Sequence, residues 1–333
     1  MSRKRVFLII LCSLLGAVAL VLLVGTVYME RMLGLINRDP VETLSSSALE
    51  ELLQGETGDR EGPVYVPEDI SIPSAPTLLD PDKKLLNILL IGQDRRGSQG
   101  RSLSDAMILC TLNRETEVLT MTSFLRDSYV RIPGKGNNKL NAAYPMGGMA
   151  LLDATLTENF GITVDGNVEV DFSQFERIID LLGGVEITLT DQEVRHLRHE
   201  YGFELKEGRN RLTGAEALGY ARIRKLGTDF ARTDRQRAVL TALIEQFRSA
   251  NLRQLHKAAK EILGLITTDL SNAQILGYAM ELAPLLKELE IRSQRIPAEG
   301  TYSFGDAGKI TSCIFLDFEA NRKLLRRTIL ETD

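Results

Sequence analysis

Two stretches of this 333-residue chain carry side chains suited to holding phosphate beside a divalent cation. The first is spread over Asp94, Asp105, Arg126 and Asp127. Carboxylates are hard oxygen donors, and Mg²⁺ is commonly held by one or two of them plus substrate phosphate oxygens. The second is Tyr220-Ala-Arg222-Ile-Arg224, followed by Asp229-Phe-Ala-Arg232-Thr-Asp-Arg235-Gln236. Residues 222–237 hold six bases against two acids. Guanidinium forks bond phosphate bidentately, which suits such a segment to a phosphorylated ligand. On a strand, Tyr220, Arg222 and Arg224 would share a face; at a helix end they would not. On a helix, Arg232, Arg235 and Gln236 stand at i, i+3 and i+4 on one side. The plain structural alternatives are turn caps and a surface ion pair for the first group, and a solvated basic helix face for the second.

Other chemistries lack their residues. Gly134-Lys-Gly-Asn-Asn-Lys139 is glycine-rich but is not a P-loop. No Gly-x-Ser-x-Gly elbow occurs. His196 and His199 lie in a charged, polar segment that reads as a solvated helix, and His256 is isolated. Cys12, Cys110 and Cys313 show no metal-binding spacing. Single cysteines commonly pack as small hydrophobes, and a Cys110–Cys313 disulfide is the less favoured alternative.

The elements that must position these groups are short apolar runs. Leu85–Ile91 (LLNILLI), Ala106–Leu112 (AMILCTL) and Glu117–Phe124 (EVLTMTSF) have strand length. Asn113-Arg114-Glu115-Thr116 is a polar turn, so the second and third runs should form a hairpin. That brings the start of one, at Asp105, to the same edge as the end of the other, at Arg126 and Asp127. If the first strand runs beside the third, Asp94 joins that rim. Ligands of open α/β sheets bind in crevices at strand ends. Helices are expected near 149–159, 174–182, 213–219, 233–249, 254–265, 272–288 and 318–331, and further strands at 185–189 and 312–316. Ser173…Glu176 and Thr213…Glu216 fit capping boxes, and Gly183 suits a helix C-terminal cap. The expected class is α/β, a central mixed sheet flanked by helices.

Charge is unevenly distributed over the chain. The net is −5, with 26% charged and 44% hydrophobic residues and 10 Pro. That composition excludes a disordered, collagen-like or disulfide-scaffold chain. The absence of a basic excess argues against nucleic acid as a partner. Residues 1–5 carry +3 and residues 30–82 carry −9, leaving the rest nearly neutral. From Val6 to Met29 no residue is charged. The 22 residues Val6–Val27 would span about 33 Å as a helix, enough for a bilayer core of about 30 Å. The expected layout is a cytoplasmic tail at 1–5 and a membrane anchor at 6–29. An acidic, Pro-containing outer spacer follows at 30–84, with a helical start at 41–54, and then an outer domain at 85–333. A cleaved signal peptide ending near Ala17-Val18-Ala19 is the rival, but the apolar run continues past it.

Several segments, in this order, resemble the LytR-CpsA-Psr family of cell-envelope proteins. They are NILLIGQD (87–94), the Ser-Asp105 step, SFLRD (123–127), KLNAAY (139–144), FGI (160–162), VDF (170–172), LLGGVEI (181–187), LTGAEALGYARIR (212–224) and DFARTDRQ (229–236). The resemblance covers residues 87–249, with C-terminal elements at 250–333. It implies a phosphotransferase that moves a glycopolymer, teichoic acid-like or capsular, from a polyprenyl pyrophosphate carrier to peptidoglycan. The implied site holds Mg²⁺ (or Mn²⁺) on Asp94 and Asp105. Pyrophosphate would lie against Arg126, Arg222, Arg224, Arg232, Arg235 and Gln236, with Lys139 and Asn141 from KLNAAY. The lipid tail would occupy an apolar tunnel. Asp127 and Asp229 are candidates for the general base, or for orienting an arginine. The family commonly has Arg-Ser-Asp at the second aspartate, where this chain has Leu103-Ser104-Asp105. Arg101, Arg95 or Arg96 would then have to supply the missing guanidinium. Two alternatives stand beside the ligase: a non-catalytic polymer-binding or regulatory envelope protein, and a hydrolase of the lipid pyrophosphate.

Overall fold

The computed structural model describes residues 28–39, 72–75, 79, 84–94, 101–249 and 258–330. The apolar run Val6–Val27, the helix expected at 41–54, and Arg95 and Arg96 lie outside the described residues.

Thirteen strands are named in chain order: β1 (Asn37–Arg38), β2 (Leu85–Gln93), β3 (Ser104–Asn113), β4 (Val118–Phe124), β5 (Tyr129–Ile132), β6 (Gly136–Lys139), β7 (Gly166–Asp171), β8 (Val185–Leu189), β9 (Gly208–Leu212), β10 (Thr267–Thr268), β11 (Glu290–Ile296), β12 (Tyr302–Ala307) and β13 (Ile310–Leu316). The helices used below are α1 (Ala143–Phe160), α2 (Phe172–Leu181), α3 (Asp191–Tyr201), α4 (Gly214–Ala221), α5 (Asp229–Ser249), α6 (Asn272–Leu285) and α7 (Phe318–Leu330). The main sheet is mixed, in the order β1-β10-β7-β2-β3-β4-β11, and three two-stranded sheets lie outside it. The expected α/β class is what forms.

Strand alternation divides the side chains between two faces. Leu85, Leu89 and Ile91 of β2 and Met107 and Leu109 of β3 join one core with Tyr144, Leu152, Leu156 and Phe160 of α1 and Leu325 and Ile329 of α7. On the opposite face Leu86, Ile88, Leu112 and Leu119 meet Tyr278, Leu282 and Leu285 of α6. Further along that second face Leu90, Ile108 and Val168 are not packed solid but line a cavity under α2, α4 and α5.

The β3–β4 hairpin forms as its polar turn predicts. Asn113 Oδ1 accepts the N–H groups of Glu115 (2.9 Å) and Thr116 (3.3 Å), an Asx-type turn. The pairing of the first strand with the third, the condition for placing Asp94 at the rim, does not form. β2 pairs antiparallel with β3 and parallel with β7, and the free edge of β4 is taken by β11. The antiparallel β2–β3 pair sets Gln93 opposite Ser104, so the end of β2 still reaches the rim that begins β3.

The expected spacer over 30–84 is packed at both of its described ends. Met32, Leu33 and Ile36 are buried, and Asn37–Arg38 add an edge strand beside Thr267–Thr268. Asn37 Nδ2 donates to the carbonyls of Gly264 (3.1 Å) and Ile266 (3.2 Å). Ile72 is buried in the main core. Two-residue strands carry no readable alternation, so charge counting passes over them. The capping box at the start of α2 is also displaced: Asp171 and Gln174 form it, not Ser173 and Glu176. Asp171 ends β7 and the helix starts at once, leaving Ser173 inside its first turn. The Thr213–Glu216 box forms as expected, and Thr190–Glu193 makes another at α3.

Candidate functional site

Asp105 stands second in β3, and Arg126 follows the end of β4, so the antiparallel pair brings them together. Arg126 Nη1 donates to Asp105 Oδ1 at 2.6 Å, and Arg126 is 7% exposed. Its Nε lies 3.5 Å from both Asp127 Oδ2 and Asp229 Oδ2. Lys139 Nζ is 2.8 Å from Asp127 Oδ1. Arg232 Nη2 donates to Asp229 Oδ2 at 3.1 Å. Arg224 reaches the rim from the other side, its Nη2 4.0 Å from Asp105 Oδ1. The result is a linked set of carboxylates and cations on one edge of the sheet.

Beside it opens a cavity of about 1000 Å³. Asp94, Asp105, Arg222, Arg224, Arg232 and Gln236 line its polar part. Its apolar part is formed by the sheet face, by Phe172, Phe175 and Ile178 of α2, by Leu240, Leu243 and Phe247 of α5, and by Ile262 and Ile266. Arg222 caps the C-terminus of α4, and its guanidinium lies 4.7 Å from the centre of the Phe172 ring. The segment is thus a helix end, so the strand alternation of Tyr220, Arg222 and Arg224 does not occur. Tyr220 is buried in a separate core, while both arginines still face the cavity.

Arg232 is 3% exposed. Burial lowers its pKa from the ordinary arginine value; Asp229 opposes this, and the nearby Arg126 and Arg224 add to it. Among the described residues its Nε has no hydrogen-bond partner. A buried donor without a partner costs about 1–3 kcal/mol, and neighbouring like charges add to that cost. An anion at the mouth would relieve both.

Five expected phosphate-binding residues, Arg101, Arg126, Lys139, Asn141 and Arg235, do not line the cavity. Arg101 is turned to the α1 side of the sheet, where its Nη2 pairs with Asp39 Oδ1 at 2.8 Å and its guanidinium lies 5.7 Å from the Tyr144 ring centre. It therefore does not replace the arginine absent at Leu103, which is buried in the cavity wall. Arg235 Nε donates to Glu193 Oε1 (2.9 Å), Nη1 to the Ile223 carbonyl (3.1 Å) and Nη2 to the Leu226 carbonyl (2.9 Å). It holds the loop that carries Arg224. Lys139 is engaged with Asp127, and the buried Asn141 donates its backbone N–H to the Arg126 carbonyl at 3.1 Å. Both brace the Arg126–Asp127 turn. Arg126, Asp127 and Asp229 stand behind the cavity wall, supporting Asp105 and Arg232. Sequence reasoning missed His196, Glu200 and Tyr201 of α3 and Lys225, which also line the cavity. Their segment reads as an ordinary solvated helix and gives no signal of a site.

Asp94 and Asp105 share the cavity, which fits the donor chemistry of a two-carboxylate Mg²⁺ site completed by phosphate oxygens. Among the described residues no group of three or more His, Cys, Asp or Glu side chains is arranged to hold a metal by itself. Cys110 and Cys313 are free thiols.

Residues 65–313 match the LytR_cpsA_psr family. The chain is 37% identical over 177 residues to polyisoprenyl-teichoic acid–peptidoglycan teichoic acid transferase TagT of Bacillus subtilis, covering 51% of this chain and 55% of that protein. It therefore spans about half the length of that relative. It is 30% identical to the regulatory protein MsrR of Staphylococcus aureus, over 72% of this chain and 73% of the relative. Among solved structures, it is similar to the LytR-CPS2A-psr family protein YwtF (TagT) with bound octaprenyl pyrophosphate lipid. That likeness has a TM-score of 0.58 and 28% identity, over 79% of this chain and 98% of the other. TagT bound to LIIa-WTA gives a TM-score of 0.61 and 29% identity, over 75% and 91%. On the sheet, the cavity and the match over 65–313 together, this chain belongs to the LytR_cpsA_psr family.

Proposed function

We propose that this protein is a membrane-anchored phosphotransferase that moves a glycopolymer from a polyprenyl pyrophosphate carrier to peptidoglycan. The observation that carries the reading is the shape of the cavity: arginines at its mouth and an apolar chamber beneath. That division matches an amphiphile with an anionic head and a hydrocarbon tail. It is supported by relatives named as teichoic acid transferases and by a related structure with octaprenyl pyrophosphate bound. The anchor would be Val6–Val27, leaving residues 1–5 in the cytoplasm and the folded domain outside.

In this reading the prenyl chain lies against Phe175, Ile178, Leu243 and Phe247, and Arg222, Arg224 and Arg232 bind the diphosphate. A sugar hydroxyl of peptidoglycan attacks the phosphorus attached to the glycopolymer. The P–O bond to the lipid phosphate breaks, and lipid monophosphate leaves, with the hydroxyl proton passing to its departing oxygen directly or through water. Negative charge shifts towards the leaving oxygens, where fixed guanidinium groups in a partly dry site stabilise it. Mg²⁺ held by Asp94 and Asp105 would supply further charge neutralisation at the diphosphate. Asp127 and Asp229 are each engaged by two cations. They are assigned to orienting Arg126, Lys139 and Arg232, not to taking the acceptor's proton.

The test is a reconstituted assay with labelled lipid-linked donor and peptidoglycan. Wild-type protein should transfer label, and Arg222→Ala should lower transfer at least about a hundredfold, as for loss of a preorganised charge contact. Binding without turnover would favour a regulatory protein, and release of free polymer without acceptor would favour a hydrolase. Unchanged transfer by Arg222→Ala would remove the role given to the mouth.

A further inference from the structure

The cavity wall contributed by α3 suits neither end of a prenyl pyrophosphate. His196, Glu200 and Tyr201 line it together. The Glu200 carboxylate is paired with Lys225, so this wall offers a diphosphate little free positive charge, and a polar helix face is a poor neighbour for a hydrocarbon tail. What it does suit is an uncharged ring bearing hydroxyls. Tyr201 is 45% exposed and stacks on Phe203, with ring centres 5.3 Å apart and planes inclined by 16°. One face of Phe203 thus backs Tyr201, and the tyrosine presents an aromatic surface to the cavity and solvent.

Two separate tethers fix this patch beside the phosphate arginines. Gly219 of α4 lies under both rings: a Cβ there would stand 2.9 Å from Phe203 Cε2 and 3.4 Å from Tyr201 Cδ2. The absence of that carbon lets the stacked pair lie on α4, one turn before Arg222. In addition, Lys225, next to Arg224, pairs with Glu200 through Nζ and Oε1 at 2.6 Å. His196 stands one turn before Glu200 on α3. Its pKa is lowered, mainly by burial, which favours the neutral imidazole. A neutral imidazole both donates and accepts, as hydroxyl recognition requires.

We propose that Tyr201, with His196 and Glu200, forms a saccharide subsite that holds the sugar joined to the diphosphate. The inference rests on the donor assigned above and adds where its first sugar lies. The aromatic face would take the apolar C–H face of the ring, and Glu200 and His196 would bond its hydroxyls. The prenyl tail then runs down the apolar chamber and the sugar lies on α3, with the diphosphate between them at Arg222 and Arg224.

The experiment uses the full chain in detergent micelles and two probes: a bare prenyl pyrophosphate, and the same molecule bearing one N-acetylhexosamine. Tyr201→Ala should leave affinity for the bare probe unchanged and weaken the sugar-bearing probe about three- to tenfold, the range expected for loss of one aromatic contact. Tyr201→Phe, which keeps the ring, should bind both probes as wild type does. The subsite is overturned if Tyr201→Ala binds the sugar-bearing probe unchanged, if it loses both probes equally, or if Tyr201→Phe behaves like the alanine variant. Failure of the wild-type protein to bind the bare probe would overturn the donor reading itself, and the subsite with it.

Discussion

Arg232 and Arg235 sit on one helix three residues apart, yet do different work. The i, i+3, i+4 spacing marks one broad side of a helix, but that side here spans two environments. Arg232 and Gln236 turn to the cavity, while Arg235 turns to Glu193 and two loop carbonyls. Spacing identifies the basic cluster but does not separate contact from support, because both need a buried guanidinium. Leu103 is the converse case. Arg101 is held by Asp39, so the wall at Leu103 stays apolar. Leu103→Arg is predicted to tighten binding of prenyl pyrophosphate, by about three- to tenfold for one charge-assisted contact, in a detergent binding assay. Asp153 offers a pH prediction. Its pKa is raised to about 7, chiefly by burial, with Asp269 and Asp39 adding and the Asn167 hydrogen bond opposing. The folded protein then holds a proton that the unfolded chain releases near pH 4. The contribution of Asp153 is therefore fully stabilising below about pH 4 and is lost as pH rises towards 7. Urea unfolding of Asp153→Asn should lack the decline expected of wild type between pH 5 and 7.5; identical slopes would contradict this.

Among the elements, those built from apolar runs are legible in the sequence. β2, β3 and β4 are such runs, and the Asn113 turn between the last two has the chemistry of a turn. β1 and β10 are two residues each, β6 is Gly-Asn-Asn-Lys, and β11 (Glu-Ile-Arg-Ser-Gln-Arg-Ile) is largely polar at the sheet edge. Edge strands carry charge to resist aggregation, which removes the alternation that would reveal them. The neighbour of β4 was for that reason not legible, although the rim of Asp94, Asp105 and Arg126 was. The loop 223–226 is the element on which the site depends most. Its carbonyls at Ile223 and Leu226 hang on Arg235, which in turn is held by Glu193, itself the partner of Thr190 in the capping box of α3. Arg235→Lys keeps a charge for Glu193 but cannot bridge both carbonyls. It should raise KM for the lipid-linked donor about tenfold, with a smaller change in kcat, as expected when a binding group is loosened and the reacting groups are kept. A pure loss of stability would instead lower active protein at unchanged KM.

At the scale of the whole molecule, one sheet separates two jobs. Among the described residues, the face towards α1 and α7 carries the main buried core. The face towards α2, α4 and α5 is left hollow, and Arg222, Arg224 and Arg232 stand at the edge of that hollow. The residues after the apolar run return to this body: Tyr28–Arg31 lead to an edge strand beside β10, adjacent to Ile266 at the apolar part of the cavity. Composition revealed neither the hollow nor this return, because apolar lining and apolar core use the same residues. The central claim is that the hollow and its arginines hold one amphiphile with a phosphorylated head. It is tested most directly by mass spectrometry of lipid co-purifying with the full chain expressed in bacteria and extracted in detergent. The account predicts a polyprenyl phosphate or pyrophosphate with the wild-type protein, and its loss from an Arg222→Ala, Arg224→Ala double variant that still folds. Absence of any prenyl phosphate from the wild type, or equal amounts in both proteins, would contradict it.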